Sequence, residues 1–160
     1  MSYSLLPLTA SDHAFLKQMF YAALFVPPGK PLYAWELLEE PHLAKYWVDW
    51  GRPTDAGWIA VQKAEQLGAV WTRFFSRENA GYGFVREDIP ELGIALVEGM
   101  RGKGLGTRLM QKMMATAQEK GWSGLSLSAD TRNQAVRLYE KLGFQEVKTE
   151  GTSITMCLTF

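Results

Sequence analysis

The chain has 160 residues, 47% apolar and 21% charged, with seventeen basic and seventeen acidic side chains that cancel. This is the profile of a single folded domain with a real core, not of a disordered chain. No global field would draw it to nucleic acid or an anionic membrane, so any anion site must be local. A lone Cys157 excludes an internal disulfide, and distant His13 and His42 give no usual metal spacing. With no run near the ~18 apolar residues of a membrane span and no leader in MSYSLLPLTASD, a cytoplasmic protein without a metal is expected.

In chain order, Thr9–Asp12 has the T-x-x-D form of a helix start. Ala14, Phe15, Gln18, Met19, Ala22 and Ala23 then recur at helical spacing until Pro27-Pro28. Residues 29–56, with three prolines and Trp35, Trp47 and Trp50, suggest one or two short helices in a long connection. GWIAVQK, GAVWTRFF and GYGFVRE read as three strands of a meander, and ELGIALV as a fourth. In that fourth strand Glu91, Gly93, Ala95 and Val97 share the face opposite Leu92, Ile94 and Leu96. Leu105, Leu109, Met113 and Ala117 fall four apart and predict a second helix, closed by Gly121. LSLSAD is a fifth strand. T-R-N-Q at 131–134 offers a capping box for a helix with an Ala135, Leu138, Tyr139, Leu142 stripe, ended by Gly143. FQEVK and TSITMCLTF close the chain as strands, the last with Ile154, Met156, Leu158 and Phe160 on one face. The expected architecture is α/β, a mixed sheet with helices on its faces, in one domain over 1–160.

The segment from Arg101 to Thr107, RGKGLGT, runs from a strand straight into a helix. Unpaired backbone N–H groups at a helix start, together with the helix dipole, suit a phosphate. Gly102, Gly104 and Gly106 would let the backbone approach it, while Arg101, Lys103 and Arg108 would supply charge. The plain alternative is a glycine-rich turn with solvated basic residues. A P-loop is excluded, because Gly104 follows Lys103 where the motif has Ser or Thr. A dinucleotide fingerprint needs Gly or Ala at 107, where Thr107 stands. Asp130 lies where a ribose-binding acid would, but too little chain follows it to complete a doubly wound sheet.

ELGIALVEGMRGKGLGTRLM carries an R-x-x-G-x-G loop after an apolar strand, and NQAVRLYEKLGF carries N-x-x-A-x-x-L-Y-x-x-x-G-F. In that order and at that separation, the region Glu91–Phe144 resembles the core of the GNAT superfamily, the acyl-CoA-dependent N-acyltransferases. The resemblance implies a GNAT-like fold, a central, mostly antiparallel sheet with helices on both faces. It also implies acetyl-CoA as co-substrate, its pyrophosphate held by the backbone of Arg101, Gly102, Lys103, Gly104, Leu105, Gly106 and Thr107. Near Leu96 and Val97 the fourth strand would splay from the fifth and offer main-chain groups to the pantetheine arm. Asn133 would contact the cofactor and Tyr139 would protonate the departing thiolate.

The chemistry asks for such groups. A lysine-like amine, pKa about 10.4, must lose a proton before attacking a thioester. Glu91 is the candidate base, acting through water. A backbone N–H would stabilise the oxyanion, and a phenol would assist a thiol leaving group of pKa about 8.5. Each residue has a plainer role too: Tyr139 as core, Asn133 as helix cap, Glu91 as a solvated carboxylate, Cys157 as core. Trp35, Trp47, Trp71, Tyr33, Tyr82 and Arg73 are candidates to line an acceptor pocket or, alternatively, core. The function expected is N-acetylation of a primary amine on a small molecule, peptide or protein, and the resemblance allows a homodimer. A non-catalytic acyl-CoA sensor and a dinucleotide enzyme are the alternatives.

Overall fold

A computed structural model describes residues 2–160. The strands are β1 (Ser4–Pro7), β2 (Ala56–Gln62), β3 (Glu65–Arg73), β4 (Glu91–Leu96), β5 (Gly124–Asp130), β6 (Gln145–Glu150) and β7 (Ser153–Thr159). The helices are α1 (His13–Ala23), α2 (Pro41–Ala44), α3 (Leu105–Glu119) and α4 (Ala135–Lys141), with short 3-10 turns at Ala10–Asp12, Trp35–Glu39 and Arg77–Asn79. The strand order is β1-β2-β3-β4-β5-β7-β6. The β4–β5 pair is parallel and the other registered pairs are antiparallel, the mixed sheet the sequence leads one to expect. Among the described residues no helix is long and apolar enough to cross a membrane.

Backbone contacts divide the chain into two compact units: one runs to Arg73 and resumes over Gly93–Met113, the other holds Phe74–Leu92 and Met114–Phe160. In the first, α1 starts as the T-x-x-D signature suggests. The Thr9 N–H donates to Asp12 Oδ2 at 2.9 Å and the Asp12 N–H donates back to the Thr9 carbonyl at 2.9 Å. Helical spacing then brings Phe15, Leu16, Met19 and Phe20 to one buried face, packed with Leu8, Leu38, Leu43, Trp50, Ile59 and Trp71. Each such side chain, fully buried, contributes about 1.5–3 kcal/mol. β2 and β3 are joined at Lys63-Ala64, both at left-handed φ of 48° and 69°. That is the twist a tight hairpin requires, here met without glycine.

A buried ion pair fastens the long connection before β2. Arg73 and Asp55 are both almost wholly buried, with the guanidinium donating to Asp55 through Nε at 3.1 Å and Nη2 at 2.8 Å. Its Nη1 donates to the carbonyls of Val48 at 2.7 Å and Lys45 at 3.0 Å. Asp55 Oδ2 also accepts the Gly51 and Arg52 N–H groups, each at 2.9 Å. Every polar atom brought in with the charges therefore has a partner, the condition under which a buried pair is tolerated.

The second unit is built on β5, β7 and β6. β5 pairs with β7 along its whole length, from Gly124↔Thr159 to Asp130↔Ser153. Leu125, Leu127, Ile154 and Met156 are buried on one face, as the alternation in TSITMCLTF implies. Gly143, at φ +103°, ends α4 and turns the chain into β6.

Two elements differ from expectation. SLLP forms an edge strand, β1, so the chain opens with a strand and not with a helix. Four residues ending in proline carry too little alternation to read as a strand. GYGFVRE is a loop, not a strand. Gly83 lies so close to β5 that an added Cβ would sit 2.6 Å from the Leu127 carbonyl carbon, a backbone-to-backbone approach no periodicity encodes.

Candidate active site

In the first unit, the glycine segment has the shape of an anion cradle. Gly102 and Gly104 have φ of +76° and +81°, a region only glycine enters cheaply, and a Cβ at either would meet nothing within 4 Å. The glycines thus set the turn's curvature, and the space above it is open. Gly106 lies in the first turn of α3, whose 15 residues begin at Leu105. The helical ladder reaches back to Gly104, whose carbonyl accepts the Arg108 N–H at 3.1 Å. The amides of Leu105, Gly106 and Thr107 therefore precede the first intrahelical bond and sit at the positive end of the dipole.

Leu105, Leu109, Met110 and Met113 are buried and anchor α3, so this end is held rigidly. Arg101 and Lys103 are exposed beside it. Tyr3, Lys103, Gly104, Leu105 and Arg108 line an open cavity of about 540 Å³, with the Arg108 guanidinium 5.6 Å from the centre of the Tyr3 ring. Nothing in the sequence pointed to Tyr3, because the strand that begins just after it, β1, was not legible. The residues present fit a diphosphate: free backbone donors, room and mobile cations.

β4 approaches this loop with its small-residue face covered. A Cβ at Gly93 would lie 2.5 Å from the Trp71 indole. Trp71 is thus a core residue and not part of an open pocket. The Val97 N–H donates to the Leu67 carbonyl at 2.9 Å, so this amide belongs to the edge facing β3. Strand alternation turns the Leu96 amide to the opposite edge.

In the second unit, Glu91 and Tyr139 are both buried, at 5% and 7% exposure, so the solvated-carboxylate reading of Glu91 is excluded. Glu91 Oε1 accepts the Gly83 N–H at 2.9 Å. Opposite it in register stands Ser126 of β5, the one registered pair of the β4–β5 ladder among the described residues. Tyr139 packs against Phe144, ring centres 6.1 Å apart. Asn133 caps α4, its Oδ1 accepting the Ala135 N–H at 2.9 Å, in place of the Thr131 capping box expected.

Asp130 is already committed. Both its oxygens pair with Arg132, at 2.9 and 2.8 Å, and that hydrogen-bonded guanidinium brings its carboxyl down to about 2. A carboxylate so engaged is poorly placed to hold a ribose. The Cys157 thiol is half-buried and pushed up by desolvation, partly offset by the charge of Arg86.

Of the other aromatic candidates, Tyr33, Trp35 and Tyr82 are exposed. Lys17 binds Glu39 at 2.6 Å and lies over the rings of Trp47 and Trp35 at 4.2 and 5.3 Å, while Tyr21 donates to the Tyr33 carbonyl. Arg73 is a structural clamp, not a pocket residue. Its partner Asp55 escaped the sequence reading, although a lone arginine in the apolar run WTRFF was a signal that it needed one.

A model of the acetyltransferase (GNAT) family matches residues 17–144. Similar folds include the PaiA N-acetyltransferase of Thermoplasma acidophilum in complex with coenzyme A, with a TM-score of 0.71, 16% identity and full coverage of both chains. A Salmonella typhimurium protein solved with acetyl-CoA has a TM-score of 0.69 at 16% identity, covering 99% of this chain and 94% of that one. The ribosomal-protein-alanine N-acetyltransferase of Brucella melitensis has a TM-score of 0.67 at 17% identity, covering 98% and 99%. A comparison with curated protein sequences gives no match.

Proposed function

Because the chain belongs to the acetyltransferase (GNAT) family, we propose that it transfers the acetyl group of acetyl-CoA to a primary amine by direct attack. Similar folds are solved with coenzyme A and with acetyl-CoA. The observation that carries the reading here is the turn at Gly102 and Gly104, left-handed and open above, leading into an anchored helix start. Bound there, acetyl-CoA supplies an electrophilic thioester carbonyl. The amides of Arg101–Thr107 hold its diphosphate with help from Lys103 and Arg108, and Asn133 adds a contact from the start of α4.

Glu91 takes the proton that the ammonium must shed, through a water, and its burial keeps that carboxylate from wandering into solvent. The Leu96 amide, on the strand edge not used by β3, donates to the acetyl oxygen as charge builds there. Tyr139 delivers its phenolic proton to the leaving sulfur. It would do so from a buried position. The acceptor is a small molecule or a peptide amine.

The test is equilibrium titration with acetyl-CoA and with NAD, followed by thiol release against a panel of primary amines. Binding of acetyl-CoA alone, with amine-dependent release, is the expected result. NAD binding would restore the dinucleotide reading, and acetyl-CoA binding without release for any amine would leave a sensor.

A further inference from the structure

Ser126 sits in the middle of β5 with no solvent exposure, and its hydroxyl has no hydrogen-bond partner among the described residues. Such a group is costly to bury, and native proteins rarely leave one without a reason. Its place supplies the reason. Ser126 is the register partner of Glu91 across the parallel β4–β5 ladder, and its own N–H donates to the Pro90 carbonyl at 3.0 Å. Registered residues on adjacent strands point their side chains to the same face, so the Ser126 hydroxyl and the Glu91 carboxylate share one buried polar patch.

The rest of the patch is built to hold the carboxylate still. Gly83 presses its backbone onto Leu127 and Ser128, at a separation where any Cβ would overlap them, and from there its N–H reaches Glu91 Oε1 at 2.9 Å. The loop carrying Gly83 is in turn fixed by Asp88, which accepts from Arg86 at 2.9 Å and from Ser123 at 2.9 Å. A hydroxyl can both donate and accept, and beside a carboxylate it completes the two polar partners that a buried water needs.

We propose that Ser126 is a positioning residue: its hydroxyl, with Glu91, holds the water through which the acceptor's proton leaves. The inference rests on Glu91 as the base. In the step, the ammonium N–H bond breaks and its proton passes to the water oxygen. The same water gives one of its own protons to the Glu91 carboxylate, so the amine ends neutral, Glu91 ends protonated and the water is unchanged. Ser126 exchanges no proton; it orients the water between the two.

Ser126→Ala and Glu91→Gln test this together. A high-resolution crystal structure of the wild type should show a water within hydrogen-bonding distance of both Ser126 Oγ and the Glu91 carboxylate, absent in Ser126→Ala. With the most active amine of the panel, Ser126→Ala should lower kcat about tenfold while the KM for acetyl-CoA stays fixed. Its melting temperature should hold or rise, since a buried hydroxyl is removed. A Ser126 hydroxyl bonded directly to protein with no water, or Ser126→Ala with full kcat, overturns the inference. If Glu91→Gln keeps wild-type turnover, the base assignment itself fails. If Glu91→Gln loses turnover and Ser126→Ala does not, only the role of Ser126 is lost.

Discussion

Replacing Asp55 by alanine leaves the Arg73 guanidinium buried with only the Lys45 and Val48 carbonyls to satisfy it. The pair is inaccessible on both sides, 3% and 1% of the side chains being exposed, so water cannot take over the lost role. Four hydrogen bonds converge on Asp55, two from the guanidinium and two from the Gly51 and Arg52 amides. Breaking a buried pair by removing one partner costs about 3–5 kcal/mol. For a chain of this length each kcal/mol moves the melting temperature by roughly 2–4 °C, so Asp55→Ala should lower it by about 6–20 °C. The loss belongs to the uncompensated charge more than to the pair itself. The double variant Asp55→Leu/Arg73→Met should therefore recover most of it. Urea unfolding followed by circular dichroism gives the free energies. A cost under about 1 kcal/mol for Asp55→Ala, or a double variant less stable than the single, refutes the account.

Gly104→Glu should abolish acetyl-CoA binding by calorimetry, since it puts a carboxylate over the proposed cradle. Its left-handed backbone adds a stability cost of about 1–2 kcal/mol, so a folded variant with unchanged affinity sinks the loop assignment. Tyr139→Phe should lower kcat about 10–100-fold with little effect on acetyl-CoA affinity, and full turnover removes the proton-donor role. Asp130 titrates near 2 when folded and nearer its ordinary value when unfolded. The unfolded chain therefore binds the proton first, and the stabilisation is complete above about pH 4 and lost as the pH falls toward 2. Arg132→Ala should raise the Asp130 midpoint in a carbon-detected NMR titration, and an unmoved midpoint contradicts the pairing.

How much of this was legible in the letters follows from the range of the forces involved. The helices at Leu105 and Ala135 and the turn at Gly102–Gly104 are local patterns, and each lies where the spacing puts it. The loop at Gly83 reads as a strand because its residue types suit one, yet its conformation is dictated by β5, more than forty positions away. Arg73 and Asp55 are 18 positions apart with a hairpin between, so their pairing is a property of the folded chain. Glu91 was singled out by its face on β4, but its burial and its Gly83 donor needed the tertiary structure. Ser126 had no signal at all, since a serine in a strand is ordinary until its neighbour is known.

The chain's single thiol, Cys157 on β7, lies opposite Ser126 of β5, half-buried and with a raised pKa. With no second cysteine to compete, a disulfide reagent such as dithionitrobenzoate reports one event: attack by this sulfur, at a rate that rises as the sheet around it opens. The colour it releases is therefore a clock for breathing of the sheet beside Glu91, readable with or without ligand and needing no engineered label.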